Sequence, residues 1–399
     1  MADYICDGVA DEVQIQAAID ALPAGGGRVV LSEGQFEISG DINLRSNVVL
    51  VGQGTATILH LNGSPDHSTP TLSNVNILIK DVSNVEVGGF SITGDAGTRA
   101  VPPVGNQNVG GAIWIWSQTL DVENIHIHDI NGQASSWGEV LVMAAAGRTI
   151  SRILIENVYA KNVVGYGYIL WAEPTSLGTV KDITFLNCIA DTCGDANLTY
   201  ATGFDLNENM TINGMRVIGC SAISSWESGF HMEGGNTVTG VELIGCRSVN
   251  NGRKPVPVYG SGFFVNNARL TNCYGGANAL TNFKVDTVIL VNCYSKDSVV
   301  HGYWLRGNCV AAQCVDEGAA NTAFLSYNTN KNSILGCKSL SSLGVGADFN
   351  NSDDSEIKDS LISSPVSDGI QIEGTSNRIK VNNCKIISAG GNGIAVQTP

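Results

Sequence analysis

The sequence predicts an all-β fold, a right-handed parallel β-helix or solenoid, because one short phrase recurs along the chain. In each copy an aromatic residue and an apolar residue two positions later alternate with polar or large side chains, as on a strand with one buried face. Self-similarity at a fixed period is the signature of stacked repeats. The copies are Thr202–Glu208, Ser228–Gly234, Ser261–Asn267, Thr281–Thr287 and His301–Gly307.

The cysteines recur with the same period. Most copies of the phrase are followed by an apolar strand that ends near a cysteine, and successive cysteines are about 20 to 27 residues apart before a last, roughly doubled gap. Coils of this length with Gly or Asn turns fit a parallel β-helix, whereas leucine-rich and helical repeats need patterns that this sequence lacks. Stacking then predicts a buried ladder of free thiols rather than disulfides. Its members are Cys220, Cys246, Cys273, Cys293, Cys314, Cys337 and Cys384.

Composition and charge narrow the class of protein. The 399 residues include 47 glycines and are only 15% charged, which suits a turn-rich β protein. The net charge of −15 disfavours a nucleic acid or an anionic membrane as partner. No apolar run is long enough to span a bilayer. Because a solenoid grows without a new core, we predict one domain over residues 1–399, with a cap at 1–40 and coils at 41–399.

The N-terminal stretch predicts a capping helix. Residues 11–22 place Val13, Ile15, Ala18, Ile19 and Leu22 near one helical face. Asp11 is the expected N-cap, while Pro23 and the glycines at 25–27 end the helix before a strand that begins at Arg28. Such an amphipathic helix would cover the otherwise exposed core at the end of a solenoid.

This N-terminus resembles that of the pectate-lyase-like β-helix superfamily. The resemblance lies in Cys-Asp-Gly-Val-Ala-Asp-Glu-Val-Gln-Ile-Gln-Ala-Ala-Ile-Asp at 6–20 and in Gly-Gly-Gly-Arg-Val-Val-Leu-Ser-Glu-Gly at 25–34. It implies the β-helix fold and a bias toward polysaccharide chemistry. The resemblance also allows calcium as a cofactor. The sequence itself indicates no cofactor, since no calcium-binding nonapeptide repeat occurs.

Two loops and the C-terminal end interrupt the regular pattern. The stretch from Gly94 to Gly111 and the stretch from Asn250 to Tyr259 read as loops that leave the solenoid, and such loops can wall a substrate groove. The last coil ends at Pro399 without a recognisable cap. We therefore expect either a longer parent chain or an oligomer contact there, for which a homotrimer is one arrangement.

The outward-facing positions of the repeated strand predict one functional surface. Parallel strands stack about 4.8 Å apart, so residues of equal phase in successive coils become neighbours. Charged side chains are densest between residues 205 and 306. The outward pairs are Trp114 with Trp116, Leu141 with Met143, Ile169 with Trp171, Asp205 with Asn207, His231 with Glu233, Phe264 with Asn266, Lys284 with Asp286, Trp304 with Arg306, Leu325 with Tyr327, and Asp348 with Asn350.

Carboxylates, a histidine and two cations among aromatic residues suit a sugar polymer. Two carboxylates can hydrolyse a glycosidic bond. A lyase or epimerase instead neutralises a uronate, removes a proton and protonates the other side, with His, Lys, Arg or Tyr in those roles. The candidate catalytic residues are Asp205, Glu233 and Asp286 as carboxylates, His231 as proton shuttle, and Lys284 and Arg306 as anion clamps. The candidate substrate-binding residues are Glu208, Trp171, Phe264, Trp304 and Tyr327.

A second, local resemblance concerns Tyr-Ala-Thr-Gly-Phe-Asp-Leu-Asn-Glu at 200–208. It is similar to the Tyr-Gly-Phe-Asp-Pro-His-Glu motif of mannuronan C5-epimerases, with Asp205 and Glu208 at its acidic positions and Glu233 at that of another carboxylate one coil later. Three positions depart from the motif and weigh against epimerisation. They are Thr202 for the catalytic tyrosine, Asn207 for the catalytic histidine, and Gly260 for a basic residue.

The pair His126 and His128 shares one strand face and would offer two metal ligands. No third ligand is evident nearby, because Glu123 has a different phase. The sequence therefore predicts no metal site.

Together these patterns predict a carbohydrate-active enzyme, a lyase or glycoside hydrolase, that cleaves an extended polysaccharide in a groove on the β-helix face. A C5-epimerase is an alternative enzyme, and two other classes of protein stay open. One is a non-catalytic glycan-binding or tailspike-type adhesion protein, and the other is a purely structural solenoid. An extracellular or virion-associated location is expected for the enzyme and for the adhesion protein.

Overall fold

The computed structural model describes residues 4–61, 77–94, 111–133, 138–171, 178–194, 200–233 and 237–397. The chain divides into two compact units, one of Met1–Arg216 with Gly235–Val238 and one of Val217–Gly234 with Thr239–Pro399. Each is a right-handed parallel β-helix, so the predicted fold class is confirmed. The loop predicted from Gly94 to Gly111 falls, apart from these two end residues, outside the described residues. The single-domain organisation stays a prediction.

The first unit begins with the predicted helix, Glu12–Asp20, followed later by a 3-10 helix, Gly54–Ala56. Its front strands, the strands that belong to the sheet of the repeated phrase, are Ile42–Asn43, Ile77–Lys80, Gly111–Ser117, Gly138–Ala144, Tyr166–Trp171 and Phe204–Glu208. Its other strands are Gly27–Val30, Gly34–Ile38, Val48–Val51, Thr57–Leu61, Val85–Gly94, Val122–Gln133, Thr149–Lys161, Thr179–Leu186, Ile189–Asp191 and Thr211–Ile218, the last of which ends two residues into the second unit.

The helix differs from its prediction in two details. Ile15 and Ile19 are buried as expected, but the Val13 side chain points to solvent and the residue is 60% exposed. Asp11 holds the N-cap position without capping the helix with its side chain. Its carboxylate instead accepts hydrogen bonds from the backbone N–H groups of Gly8 at 2.9 Å and Glu37 at 2.8 Å. Asp11 therefore ties the helix to the first coil.

The second unit repeats a coil of one front strand and two short strands. Its front strands are Phe230–His231, Phe263–Asn266, Thr281–Asp286, His301–Arg306, Thr322–Asn330, Val345–Asp353, Ile370–Glu373 and Ile394–Val396. Its other strands are Ser221–Ile223, Val238–Ile244, Arg247–Val249, Ala268–Thr271, Tyr274–Gly276, Ile289–Val291, Tyr294–Lys296, Val310–Ala312, Val315–Glu317, Ser333–Leu335, Lys338–Leu340, Glu356–Lys358, Leu361–Ser363, Lys380–Asn382 and Lys385–Ile387.

A ladder of aromatic rings fills the interior of the second unit. Phe230, Phe263, Phe283, Tyr303 and Phe324 stack one on the next with ring centroids 4.7 to 5.0 Å apart and planes within 8° of parallel. All five are buried, as the alternation in the repeated phrase predicts. Each such pair contributes roughly 0.5–1.5 kcal/mol beyond the area it buries. The ladder thus fixes the register of the front strands.

The cysteines follow the prediction except Cys384, the last member of the predicted ladder, which is only half-buried because it lies in the last coil. All eleven are free thiols, and from Cys220 to Cys337 the predicted ladder is buried. The residue before each of these cysteines takes a left-handed turn, as at Gly219 (φ 63°) and Asn272 (φ 55°). Asn and Gly adopt this conformation at the lowest cost, which explains the repeated Gly-Cys and Asn-Cys pairs.

No helix among the described residues is long and apolar enough to cross a membrane.

Candidate active site

The front strands of the second unit place the predicted outward residues in register. The positions on the outward face of the sheet form a row across seven strands. In this row Phe264 pairs with Lys284, and Lys284 pairs with Trp304. Two residues along, Asp286 pairs with Arg306. The predicted phase is therefore correct here. The row runs His231, Phe264, Lys284, Trp304, Leu325, Asp348 and Gln371.

A pocket of about 460 Å³ opens at the C-terminal end of this row. Its size lies in the range of small-molecule and sugar sites. Two carboxyl groups, a histidine and two aromatic rings converge there with amide side chains. The pocket is lined by His301, Trp304, Asn321, Thr322, Leu325, Tyr327, Val345, Asp348, Asn350, Gln371 and Glu373.

Asp348 is the buried acid of the pocket. The residue is 8% exposed, and its Oδ1 has no hydrogen-bond partner within the described part of the chain. Burial, and secondarily the nearby Glu373 carboxylate, raise the pKa of Asp348 to about 7. A carboxyl group in such a site is about half protonated at neutral pH and can donate a proton.

Glu373 is the second carboxyl, and two amides hold it. The Nδ2 of Asn350 donates to its Oε1, and the Nε2 of Gln371 donates to its Oε2 at 2.5 Å. Asn351 in turn donates to Asn350 Oδ1 at 2.9 Å, which fixes the orientation of that amide. Glu373 is thus kept as an acceptor beside a carboxyl that can act as a donor.

Aromatic and imidazole rings form the other wall. The Trp304 ring meets Tyr327 edge to face at 5.7 Å and His301 at 5.6 Å. His301 is buried, which lowers its pKa to about 4, so the imidazole is neutral at neutral pH. Its Nδ1 lacks a hydrogen-bond partner among the described residues. Trp304 Nε1 likewise lacks a partner among the described residues, so the rings form an apolar wall with two unused polar atoms.

Lys284 lies between two aromatic faces. Its Nζ is 5.0 Å from the centroid of Phe264 and 5.0 Å from that of Trp304. Burial, and then the charge of Arg306, lower the pKa of Lys284. Arg306 Nε lies 3.9 Å from Asp286 Oδ2, so that cation is partly neutralised. Within the described residues Lys284 has no carboxylate within 4 Å, which leaves its charge for a ligand.

His231 and Glu233 occupy the opposite end of the row. Their side chains approach to 3.4 Å between Nε2 and Oε1, and the hydrogen bond from His231 lowers the pKa of Glu233. The imidazole stacks on Phe264 at 4.8 Å. Tyr259, from the predicted loop at 250–259, meets the imidazole edge to face at 5.0 Å. The structure therefore brings together eight of the predicted residues in the second unit.

The remaining three predicted residues belong to the first unit. Ile169 is in register with Asp205 and Trp171 with Glu208, with an irregularity between the two pairs. Asp205 is 2% exposed and Trp171 is 7% exposed. Their proposed roles stay predictions.

Six predicted outward residues of the first unit are apolar and buried, which sequence phase alone does not reveal. The predicted surface pairs there are buried together with two further residues. Lys80 adds its ammonium 4.3 Å from the Trp116 ring centroid. The cluster comprises Leu78, Trp114, Trp116, Leu141, Met143, Tyr166, Ile169 and Trp171.

His126 and His128 share a face, as predicted, with ring centroids 4.5 Å apart. Each nevertheless contacts carboxylates, His126 with Glu156 at 2.8 Å and His128 with Asp129 at 2.9 Å. Over the described ranges no three such side chains are arranged to hold a metal ion.

Sequence reasoning missed His301, Gln371 and Glu373, and gave Asp348 and Asn350 only a place in the outward phase. A signal for Glu373 exists. Asp-Gly-Ile-Gln-Ile-Glu-Gly at 368–374 repeats Ser-Gly-Phe-His-Met-Glu-Gly at 228–234, with Glu373 at the position of Glu233. The aromatic residue is replaced by Ile370, which conceals the repeat.

Comparison with known proteins gives a family and a fold. A family model described as rhamnogalacturonase A/epimerase, pectate lyase-like, matches residues 5–234, more than half of the chain. No curated protein matches the sequence.

Three solved structures are among those similar to this chain. Pre-mature gene product 12 of bacteriophage phi29 matches with a TM-score of 0.65 and 14% identity, over 97% of this chain and 55% of that chain. The N-terminal fragment of the same phage protein matches with a TM-score of 0.62 and 15% identity, over 98% and 70%. The A-module of a mannuronan C-5 epimerase from Azotobacter vinelandii gives a TM-score of 0.49 and 15% identity, over 99% and 96%. At 14% and 15% identity, the two phage matches show only that this chain has the same fold as the phage protein.

Proposed function

The chain belongs to the rhamnogalacturonase A/epimerase family of pectate lyase-like proteins, and we propose that it is a carbohydrate-active enzyme that hydrolyses an extended polysaccharide. The family name supports a polysaccharide substrate. The choice of hydrolysis rests on the pair of carboxyl groups in the pocket of the second unit.

The observation that carries this proposal is the buried Asp348 carboxyl, whose pKa is raised to about 7, beside Glu373. Asp348, whose pKa is raised to about 7, donates its proton to the glycosidic oxygen as the bond from that oxygen to the anomeric carbon breaks. Glu373, held by Asn350 and Gln371, either removes a proton from the attacking water or attacks the anomeric carbon itself. In the first route Glu373 ends with a proton from the water and Asp348 without one, and proton exchange with solvent restores both. In the second route Asp348 takes a proton from the water that displaces the sugar from Glu373, which restores both directly. Both routes add water across the bond.

The row of outward residues supplies binding along the chain of sugars. Trp304 and Tyr327 offer aromatic faces next to Asp348, and Phe264 offers another beyond Lys284. Lys284 and Arg306 clamp acidic groups, with Asp286 orienting Arg306. His231 and Glu233 bind the far end of the substrate. A polymeric substrate of this kind supports a location outside a cell or on a virion.

Elimination is the second candidate, and one observation favours it. Lys284 has a lowered pKa, because it is desolvated and lies near Arg306. A lysine of this kind can remove the proton next to a uronate carboxylate while a cation such as Arg306 neutralises that carboxylate. The reaction breaks the other carbon–oxygen bond of the linkage, the one from the glycosidic oxygen to the uronate carbon β to the carboxylate. The abstracted proton goes to Lys284, the oxygen leaves with the neighbouring sugar and takes a proton from solvent, and a double bond remains in the uronate.

A panel of polysaccharides separates the two reactions from each other and from binding alone. Alginate, pectin, glycosaminoglycans, ulvan and bacterial capsules are each incubated with the protein, and both reducing ends and ultraviolet absorbance are followed. Hydrolysis gives reducing ends without absorbance, whereas elimination gives both. Binding to an affinity gel without either signal would contradict both reactions and favour a glycan-binding protein.

A further inference from the structure

The loop from Asn250 to Gly260 is an insertion in one coil of the second unit. The register pairs Phe230 with Phe263, 33 positions along the chain, whereas Phe263 pairs with Phe283 only 20 positions on. The inserted residues lie between the strand Arg247–Val249 and the next front strand, without a helix or strand of their own. The insertion thus begins behind the row of outward residues and returns to it.

Backbone hydrogen bonds fasten the loop to the preceding coil. The N–H groups of Gly252 and Arg253 donate to the carbonyl of Ser225 at 3.0 and 3.2 Å, and that of Lys254 donates to the carbonyl of Trp226 at 3.0 Å. The Arg253 guanidinium lies 5.7 Å from the Trp226 ring centroid. The base of the loop is therefore fixed.

The buried carboxylate of Glu227 binds the rest of the loop. Its side chain is 1% exposed and forms an ion pair with Lys254, 2.9 Å from Nζ to Oε1. Its Oε2 accepts the N–H of Tyr259 at 2.9 Å, and its Oε1 receives the N–H of Val258 at 3.5 Å. A buried carboxylate is tolerated only with such partners. Every partner named here comes from the inserted loop.

The Tyr259 ring stands where the loop meets the row. It contacts His231 at 5.0 Å and 83°, and Phe264 at 5.3 Å and 61°. His231 Nδ1 is buried and has no hydrogen-bond partner in the described parts of the chain. Two aromatic rings, an imidazole and the Glu233 carboxylate thus lie together at one end of the row, and the imidazole keeps one unused polar atom.

We propose that Tyr259, His231, Phe264 and Glu233 form a distal sugar-binding subsite, and that Glu227 is the positioning residue that holds Tyr259 in it. The proposal rests on the proposed function, because it concerns the same polysaccharide. Five strand-to-strand steps separate the His231 strand from the Asp348 strand, about 24 Å at the spacing of parallel strands. Only a long chain reaches both ends of the row, so this subsite selects substrate by length.

Kinetics on long and short substrates tests the assignment. The probes are polygalacturonate and alginate, each as polymer and as short oligomers. In Tyr259→Ala and Glu227→Gln the ratio of kcat/KM on polymer to kcat/KM on oligomers should fall about tenfold, mainly through KM, a loss of about 1.4 kcal/mol. Tyr259→Phe keeps the ring and should keep the ratio. Lys296→Met, which breaks the Lys296–Glu317 pair on another sheet, is the matched control and should keep it too.

Affinity electrophoresis in gels with the same two polymers separates this inference from the hydrolytic proposal. Retardation that Tyr259→Ala abolishes supports the subsite even if no polymer is cleaved, an outcome that removes only the hydrolysis. Cleavage with an unchanged ratio and unchanged retardation in Tyr259→Ala removes only the subsite. Absence of retardation of the wild-type protein in both gels also overturns it. If Glu227→Gln does not fold, Tyr259→Ala decides.

Discussion

Asp348 and Glu373 lie one strand apart and two residues along from each other on the front sheet of the second unit. Asp348 is in register with Gln371, and Glu373 with Asn350. From strand spacing and rise, their Cα atoms are on the order of 8 Å apart. One carboxyl is buried with a raised pKa, while the other accepts two amide hydrogen bonds. When one carboxyl has a raised pKa and its neighbour is held as a hydrogen-bond acceptor, a site obtains an acid and a base at the same pH.

The pH dependence of kcat/KM should follow the titration of Asp348. Its pKa is about 7, and the acid form donates the proton, so kcat/KM should fall about tenfold per pH unit above that value. Removing the neighbouring charge in Glu373→Gln should lower the pKa of Asp348, measured from the carboxyl ¹³C shift without any substrate. A profile that is flat from about pH 6 to about pH 9 would argue against Asp348 as the acid.

Lys284 should determine the preference for acidic sugars. Lys284→Met keeps much of the stem between Phe264 and Trp304 but removes the charge, so KM for an acidic polymer should rise about 10- to 100-fold, the worth of a charged hydrogen bond. Lys338→Met, on an exposed position of another sheet, serves as the control. Equal KM values for both variants on alginate and pectin would contradict the role of Lys284. A collapse of kcat with little change in KM would instead favour elimination, with Lys284 as the base.

Asp316 should make the fold less stable as pH rises. It lies inside the second unit, where burial, opposed by hydrogen bonds from Ser295 and the Ala319 N–H, raises its pKa to about 7. Asp297 and Glu317 are the charged neighbours that raise it further. The folded state thus binds a proton more tightly than the unfolded chain, and stability present below about pH 4 is lost as pH rises through about 7.

Thermal unfolding of Asp316→Asn checks this linkage. Because Asn does not titrate, the loss of stability between about pH 5 and about pH 8 should shrink by on the order of 2 kcal/mol. Glu356→Gln, a half-buried carboxylate on another short strand, is the control. If Asp316→Asn lost stability with pH as steeply as the wild type, the linkage would be wrong.

The repeated phrase predicted the fold and much of the row, for a physical reason. A strand has a side-chain period of two, so Phe263 and Phe283 inside imply Phe264 and Lys284 outside, and stacking brings successive coils into register. The buried thiols from Cys220 to Cys337 follow from the same period.

The strand and helix periodicity did not predict which side chains are buried or which side chains surround them. Asp348 becomes an acid only because Trp304, Tyr327 and Glu373 come from three other strands to enclose it. Val13 shows the converse, since an apolar residue at a helical phase can still face solvent. Such outcomes depend on which coils and loops cover a position, and a single sequence does not state this.

Reducing-end release by Asp348→Asn compared with Asp316→Asn tests hydrolysis most directly. Both residues are buried carboxyls whose pKa is raised to about 7, but Asp348 lines the pocket and Asp316 lies in the interior. On the polymer that the wild-type protein cleaves, Asp348→Asn should lose about 100-fold or more of the rate, the usual contribution of a general acid, while Asp316→Asn keeps it. Retained cleavage in a folded Asp348→Asn, or products that absorb in the ultraviolet, would contradict the hydrolytic site.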